Sequence, residues 1–216
     1  MQPQEKNISL ENHWSQYRCP TGVSGRKVAA NMNKGHWDLT TWGLKHAKIK
    51  TDSVILDVGC GGGKTISRMA RRAVLGKIYG IDHSEDMVDY SKQVNRGLIA
   101  TNRTEIVQAA VEKTGFKNDF FDLVTAIETY YFWPHLAESF QEIKRILKKE
   151  GYLLIVSEMI KDGVYEVENA EIIAKTQVNL VPLLEMQNML YSAGFSSVKV
   201  YRKRKSKWEA VLAQKP

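Results

Sequence analysis

The chain alternates short apolar runs with amphipathic helical runs from Ser53 onward, which predicts an open, mostly parallel α/β sheet. Three observations carry this reading. Val54-Ile55-Leu56-Asp57-Val58 breaks into glycines at 59, 61, 62 and 63, as a buried strand entering a tight turn would. Lys77-Ile78-Tyr79-Gly80-Ile81-Asp82 repeats the theme one helix later, a short strand closed by an acid. Finally, Phe195 to Tyr201 and Trp208 to Ala213 form a close pair, which argues for one antiparallel strand at the end.

In order, strand 54–58 leads to a helix over 64–75, and strand 77–82 leads to a helix over 85–101. Strand 105–109 runs into an irregular link, and Phe120 to Ile127 forms the fourth strand. Leu136, Phe140, Ile143 and Leu147 recur at helical spacing, giving a helix over 134–148 one apolar face, with Pro134 in its first turn. Gly151 ends that helix region and Tyr152 to Ser157 is a continuous apolar strand. Pro182 opens a last helix with Leu183, Met186 and Leu190 on one side and Gly194 just past its end. Ahead of the sheet, Gly22, Gly25 and Gly35 punctuate two helical pieces, roughly 9–18 and 35–48. These carry His13, Trp14, Tyr17, His36, Trp37, Trp42 and His46.

Composition bounds the function. A length of 216 residues suits one domain, and 43% hydrophobic with 25% charged residues is ordinary for a globular protein. No apolar stretch reaches membrane-spanning length, and Met1 to Lys6 lacks the apolar centre of a signal peptide, so the cytoplasm is the expected compartment. Cys19 and Cys60 make no disulfide framework, no Cys/His spacing suggests zinc, and no metal is expected. Part of the net charge of +7 lies in Tyr201-Arg202-Lys203-Arg204-Lys205-Ser206-Lys207. Such a run can be a nucleic-acid patch or a solvated hairpin turn, and its shortness favours the turn.

The glycine turn is compatible with three nucleotide cradles. A P-loop needs glycine five positions ahead of Gly63-Lys64-Thr65, where Val58 stands. The dinucleotide fingerprint needs glycine where Lys64 stands. What remains is acid-x-Gly-x-Gly-x-Gly, namely Asp57, Gly59, Gly61 and Gly63. Bare backbone N–H groups at a strand-to-helix turn let a ligand approach closely. Asp82 would lie at the same sheet edge, where its carboxylate can accept hydrogen bonds from a ribose diol. The competing role for Asp82 is a helix cap, for which Ser84 is an equal candidate.

This glycine set resembles the first motif of the class I S-adenosylmethionine-dependent methyltransferases. The likeness runs from Ser53 to Ala213 through Phe121-Asp122-Leu123-Val124, Lys149-Glu150-Gly151-Tyr152-Leu153-Leu154 and Ala193-Gly194-Phe195. It implies a doubly wound seven-stranded sheet with the last strand antiparallel and helices on both faces. It also implies that S-adenosyl-L-methionine is the cofactor, its methionine end over the turn at Asp57, Gly59, Cys60, Gly61 and Gly63 and its ribose on Asp82 beside His83. Family members often place an adenine-reading acid after the third strand, and Ala110 stands there. Adenine recognition then falls to the backbone of Ala110 and Val111, to Met87, or to Glu112 reaching in. Residues 1–50 correspond to a helical lid and 51–216 to the catalytic domain, with Tyr17 and His36 facing the site.

Methyl transfer needs a nucleophile held in line with the methyl, and a base only when the acceptor must lose a proton. Strand four ends in Ile127-Glu128-Thr129-Tyr130-Tyr131-Phe132-Trp133-Pro134-His135, aromatics beside one acid at the ligand edge of the sheet. Glu128, His135 and His36 are the catalytic candidates, and Ile127 is placed beside the cofactor. For Glu128 and His135 the alternative is a plain structural role at the sheet edge. The expected acceptor is a small molecule, with RNA as a second possibility through the basic run. Two further readings stand beside it: a module that binds the cofactor without turnover, and a magnesium–nucleotide protein using Gly63-Lys64-Thr65.

Overall fold

The computed structural model describes residues 15–161, 163, 166–176 and 178–216. Seven strands form one sheet: β1 (Val54–Val58), β2 (Lys77–Asp82), β3 (Thr104–Gln108), β4 (Phe121–Ile127), β5 (Leu147–Ser157), β6 (Ser197–Arg202) and β7 (Glu209–Gln214). Their spatial order is 3-2-1-4-5-7-6, with β7 antiparallel to both neighbours and the other six parallel to one another. The expected open, doubly wound sheet with an antiparallel last strand is what the chain adopts. Strand order reverses at β1, between β2 and β4, and that switch point opens the crevice at the carboxyl edge.

Side chains alternate between two apolar layers, as a pleated sheet requires. Leu56, Val124, Leu153 and Ile155 face one layer with α6 (Leu136–Ile146) and α8 (Leu183–Ser192), through Phe140, Ile143, Met186 and Leu190. Ile55, Leu123, Leu154 and Val156 face the other, with α2 (Trp37–Gly43), α3 (Lys64–Ala70) and α4 (Glu85–Val94), through Leu39, Ile66, Met69 and Val88. A Cβ on Gly43 would collide with Val156, so that glycine lets α2 lie close on β5.

Several expected boundaries shift for identifiable reasons. The helix expected over 64–75 ends at Ala70 and continues as turns. The helix expected over 85–101 breaks at Asn95 into α4 and α5 (Arg96–Ala100), where the Asn95 amide donates to the Gly63 and Ser91 carbonyls. Pro134 lies outside α6, because His135 occupies the N-cap position. β5 starts at Leu147 rather than at Tyr152, with an irregular register against β4 between Phe121 and Leu123. α7 (Glu166–Thr176) falls where the sequence pattern assigns no element.

The N-terminal region departs most. Of the helix expected at 9–18, residues 15–18 are helical, and 9–14 lie outside the described residues together with His13 and Trp14. The long helix there is α1 (Gly22–Gly35), with α2 following at once, in place of one helix over 35–48. Gly25 does not interrupt α1: a side chain there would strike the Pro20 backbone, so the glycine permits tight packing. No helix among the described residues is long and apolar enough to cross a membrane.

Candidate active site

The glycine turn between β1 and α3 is held to β2 by two hydrogen bonds. Cys60 N–H donates to the Ile81 carbonyl at 3.0 Å, and Gly61 N–H to Asp82 Oδ2 at 2.9 Å. Gly59, Gly61 and Gly63 all have left-handed φ, of 67°, 47° and 73°. A Cβ at Gly59 would strike Thr129 and one at Gly63 would strike Ser91 and Asn95, so these two are closed by the protein itself. A Cβ at Gly61 would meet nothing nearer than 4.0 Å. That position opens onto a cavity of about 350 Å³ whose lining includes the turn, the ends of β2 and β4, and α1.

Asp82 closes β2, is buried, and accepts from Ser84 N–H through Oδ1 at 3.0 Å. Ser84 itself caps α4, accepting from Met87 N–H. Each carboxylate oxygen of Asp82 thus holds one N–H and keeps lone-pair capacity for a further donor. Asp57 is buried beneath the turn, where Thr125 Oγ1 donates to it at 2.7 Å. Burial, against that hydrogen bond and with help from Asp82, pushes its carboxyl up to about 7. Cys60 is buried and its thiol is raised by burial, then by Asp82 and Asp57, which speaks for a small space-filling residue rather than a nucleophile.

On the far side of the turn, Glu128 follows β4 with φ of 56°, a left-handed conformation that costs a non-glycine residue about 1–2 kcal/mol. Its Oε2 accepts from Tyr131 OH at 2.9 Å and its Oε1 from Glu158 N–H at 2.6 Å. Burial first, then Glu158, pushes the Glu128 carboxyl up to about 8. His36, in the joint between α1 and α2, points its Nε2 at both acids, 4.0 Å from Glu128 and 3.8 Å from Glu158. Burial lowers the His36 pKa, with Glu158 opposing.

Of the sequence candidates, Tyr17, His36, Asp57, Gly59, Cys60, Gly61, Asp82, His83, Met87, Ala110, Val111, Ile127 and Glu128 all line this cavity. Gly63 stands behind the turn and His135 is exposed ahead of α6; neither lines it. Glu112 also lines the cavity beside Ala110, and its Oε1 is buried without a hydrogen-bond partner. Trp42 packs on the sheet against Trp208 and His46, whereas Trp37 is exposed, with the Arg68 guanidinium 4.0 Å from its ring. The basic run forms the β6–β7 hairpin turn, with Arg202 paired to Glu209.

Sequence reasoning missed Glu158 and Asn33. Glu158 follows Ser157 at the end of β5, an acid at the carboxyl edge like Asp82 and Glu128, and that shared placement was the available signal. Asn33 donates from α1 to the Gly62 carbonyl at 3.3 Å, and a Cβ on Gly62 would strike it. Helix α1 is further tied down by Gly22 N–H to Asp86 and by Ser84 Oγ to the Pro20 carbonyl.

Comparison with known proteins agrees with this geometry. A family described as a methyltransferase domain matches residues 56–155. The sterol 4-C-methyltransferase strm-1 of Caenorhabditis elegans is 32% identical over 152 residues, 70% of this chain and 43% of that protein. Cycloartenol-C-24-methyltransferase 1 of rice (Oryza sativa subsp. japonica) is 31% identical over 122 residues, 56% of this chain and 35% of that protein. The chain therefore matches less than half the length of these curated relatives. Among solved structures, a SAM dependent methyltransferase from Aquifex aeolicus superposes with a TM-score of 0.69 at 21% identity, covering 88% of this chain and 98% of that one. Over residues 56–155 the chain is thus similar to methyltransferases, the solved structure shares its fold, and its glycine turn and strand order agree with that likeness.

Proposed function

We propose that the protein transfers a methyl group from S-adenosyl-L-methionine to a small-molecule acceptor. The observation that carries this reading is a single cavity joining the open face of Gly61, the Asp82 carboxylate and the Glu128–His36 pair at the switch point of the sheet. Two features fit the cofactor. Gly61 leaves a space that any side chain would fill, and Glu112 Oε1 is an acceptor still lacking a donor.

In this reading Gly59 to Gly61 support the methionine end, with Asp57 beneath, and Asp82 takes the ribose hydroxyls. His83, Met87, Ala110 and Val111 enclose the adenine, and Glu112 accepts from its amino group, replacing the acid missing at position 110. Ile127 and Tyr17 close the remaining sides. When bound, S-adenosylmethionine supplies an electrophilic methyl on a sulfonium that carries its own leaving group. The protein's part is alignment and exclusion of water. Glu128 and His36 face the acceptor and orient it, and α1 with α2 serves as the lid over both ligands. The cycloartenol and sterol named in the two relatives support a small acceptor over RNA.

The test is calorimetry with S-adenosylmethionine and S-adenosylhomocysteine, followed by a screen of small molecules for S-adenosylhomocysteine release. Binding with turnover of a small acceptor is the expected result. Tight binding with no turnover on any acceptor would instead favour a non-catalytic module. Magnesium-dependent binding of ATP in its place would overturn the cofactor assignment.

A further inference from the structure

We propose that His36, Glu128 and Glu158 form a binding site for one divalent first-row transition-metal ion, of the zinc or manganese class, at the lid end of the cavity. The three side chains come from three separate places, the α1–α2 joint, the end of β4 and the end of β5. One ligating atom from each lies within 4.8 Å of the other two. The imidazole Nε2 sits 3.8 Å from Glu158 Oε1 and 4.0 Å from Glu128 Oε2, too far for hydrogen bonds. A point equidistant from atoms spaced this way lies about 2.2–2.5 Å from each, a few tenths of an ångström outside zinc–nitrogen and zinc–carboxylate bond lengths of about 2.0–2.2 Å. A small side-chain adjustment closes that difference.

The surroundings suit an ion. Glu128 is oriented by two donors, Tyr131 OH and Glu158 N–H, which is how ligating carboxylates are held from outside the coordination sphere. A carboxylate has about four lone-pair sites, so each oxygen can accept one hydrogen bond and still ligate. Among the described residues no Lys or Arg lies within ion-pair distance of either acid; His36 is the one basic group that reaches them. Two acids with one imidazole between them offer three ligand atoms to a cation. One imidazole with two carboxylates suits zinc, manganese or iron, and differs from the all-oxygen set that magnesium and calcium favour. The Glu128 side chain is 6% exposed while His36 and Glu158 are 25% and 30% exposed. The open coordination positions therefore face outward from Glu128. In a methyltransferase they would take an oxygen, nitrogen or sulfur donor of the acceptor; that consequence rests on the proposed function, whereas the ion site does not.

The experiment uses the tag-free full chain, stripped with chelator and titrated with zinc chloride and with manganese chloride by calorimetry, with native mass spectrometry for stoichiometry. One ion per chain is expected. His36→Ala and Glu158→Gln should each weaken it at least tenfold, with the melting temperature of the metal-free variants near that of the parent, while exposed Glu138→Gln leaves affinity unchanged. Zinc-edge absorption spectroscopy on the parent protein should show nitrogen and oxygen neighbours only. Absence of saturable one-to-one binding, undiminished affinity in a variant combining His36→Ala with Glu158→Gln, or sulfur ligation would each overturn the site. Binding of S-adenosylhomocysteine is measured on the same samples, so failure of the ion site and failure of the cofactor assignment are read separately.

Discussion

Asp82 accepts from the Gly61 and Ser84 amides, so the carboxylate proposed to bind ribose is oriented by the protein's own backbone. Asp82→Ala removes charge-assisted hydrogen bonds and should weaken S-adenosylmethionine binding by about 1–3 kcal/mol, read by calorimetry. Unchanged affinity would dismiss the ribose role. Asp57 makes a prediction about pH. Its carboxyl is raised from an ordinary 3.8 to about 7, so between these values the folded state keeps a proton that the unfolded chain has lost. The stability this group contributes is complete below about pH 4 and is lost as pH rises through 7. Asp57→Asn cannot ionise, so in chemical unfolding it should gain on the parent as pH rises from 5 to 8. The gain is a few kcal/mol at most, because each pH unit between the two pKa values is worth about 1.4 kcal/mol. Parallel stability curves for the two proteins would contradict this. Residues that belong to a motif, such as Gly61 and Asp82, were legible because type and spacing suffice. Glu158 was not, because only β5 pairing beside β4 brings it to Glu128.

At the scale of elements, the three alternate glycines of the turn do different work. Gly63 is enclosed by Ser91 and Asn95, so Gly63→Ala should lower the melting temperature through a clash added to its left-handed backbone, at a cost of about 1–3 kcal/mol. Gly61 faces the cavity, so Gly61→Val should abolish cofactor binding while the sheet, seen by circular dichroism, stays folded. Intact binding in that variant would remove the turn from the site. Strand positions and the apolar face of α6 could be read from periodicity, since one stripe of residues meets one layer. Helix α1 could not. Its glycines at 22, 25 and 35 look like breaks, yet Gly25 is explained by packing on Pro20, while Gly22, with φ of 60°, and Gly35 stand at the two ends of the helix. Nor does Asn95 announce a break in a helical pattern until its amide is seen reaching the Gly63 carbonyl.

For the molecule as a whole, α1 is tied across the carboxyl edge of the sheet by polar contacts, whereas α2 buries Leu39 against one sheet face and is joined to α3 by further hydrogen bonds. Arg68 of α3 donates to the Trp37 carbonyl and to Thr41, and Arg72 to the Leu44 carbonyl. Arg68→Ala should loosen α2, seen as faster hydrogen exchange over 37–43 with the β4 and β5 amides unchanged. Uniform protection in the variant would argue against α2 depending on these hydrogen bonds. The parallel order of the sheet followed from alternating elements together with the family likeness. The way the N-terminal helices meet the edge did not, because it depends on side chains far apart in sequence, such as Asn33 with Gly62 and His36 with Glu158. The central claim is that the cavity at the switch point is built for S-adenosylmethionine. Titration of the parent protein with S-adenosylhomocysteine in a calorimeter tests it most directly. One molecule bound per chain, with a rise in melting temperature, is the predicted result; no binding, or binding only of ATP with magnesium, would contradict it.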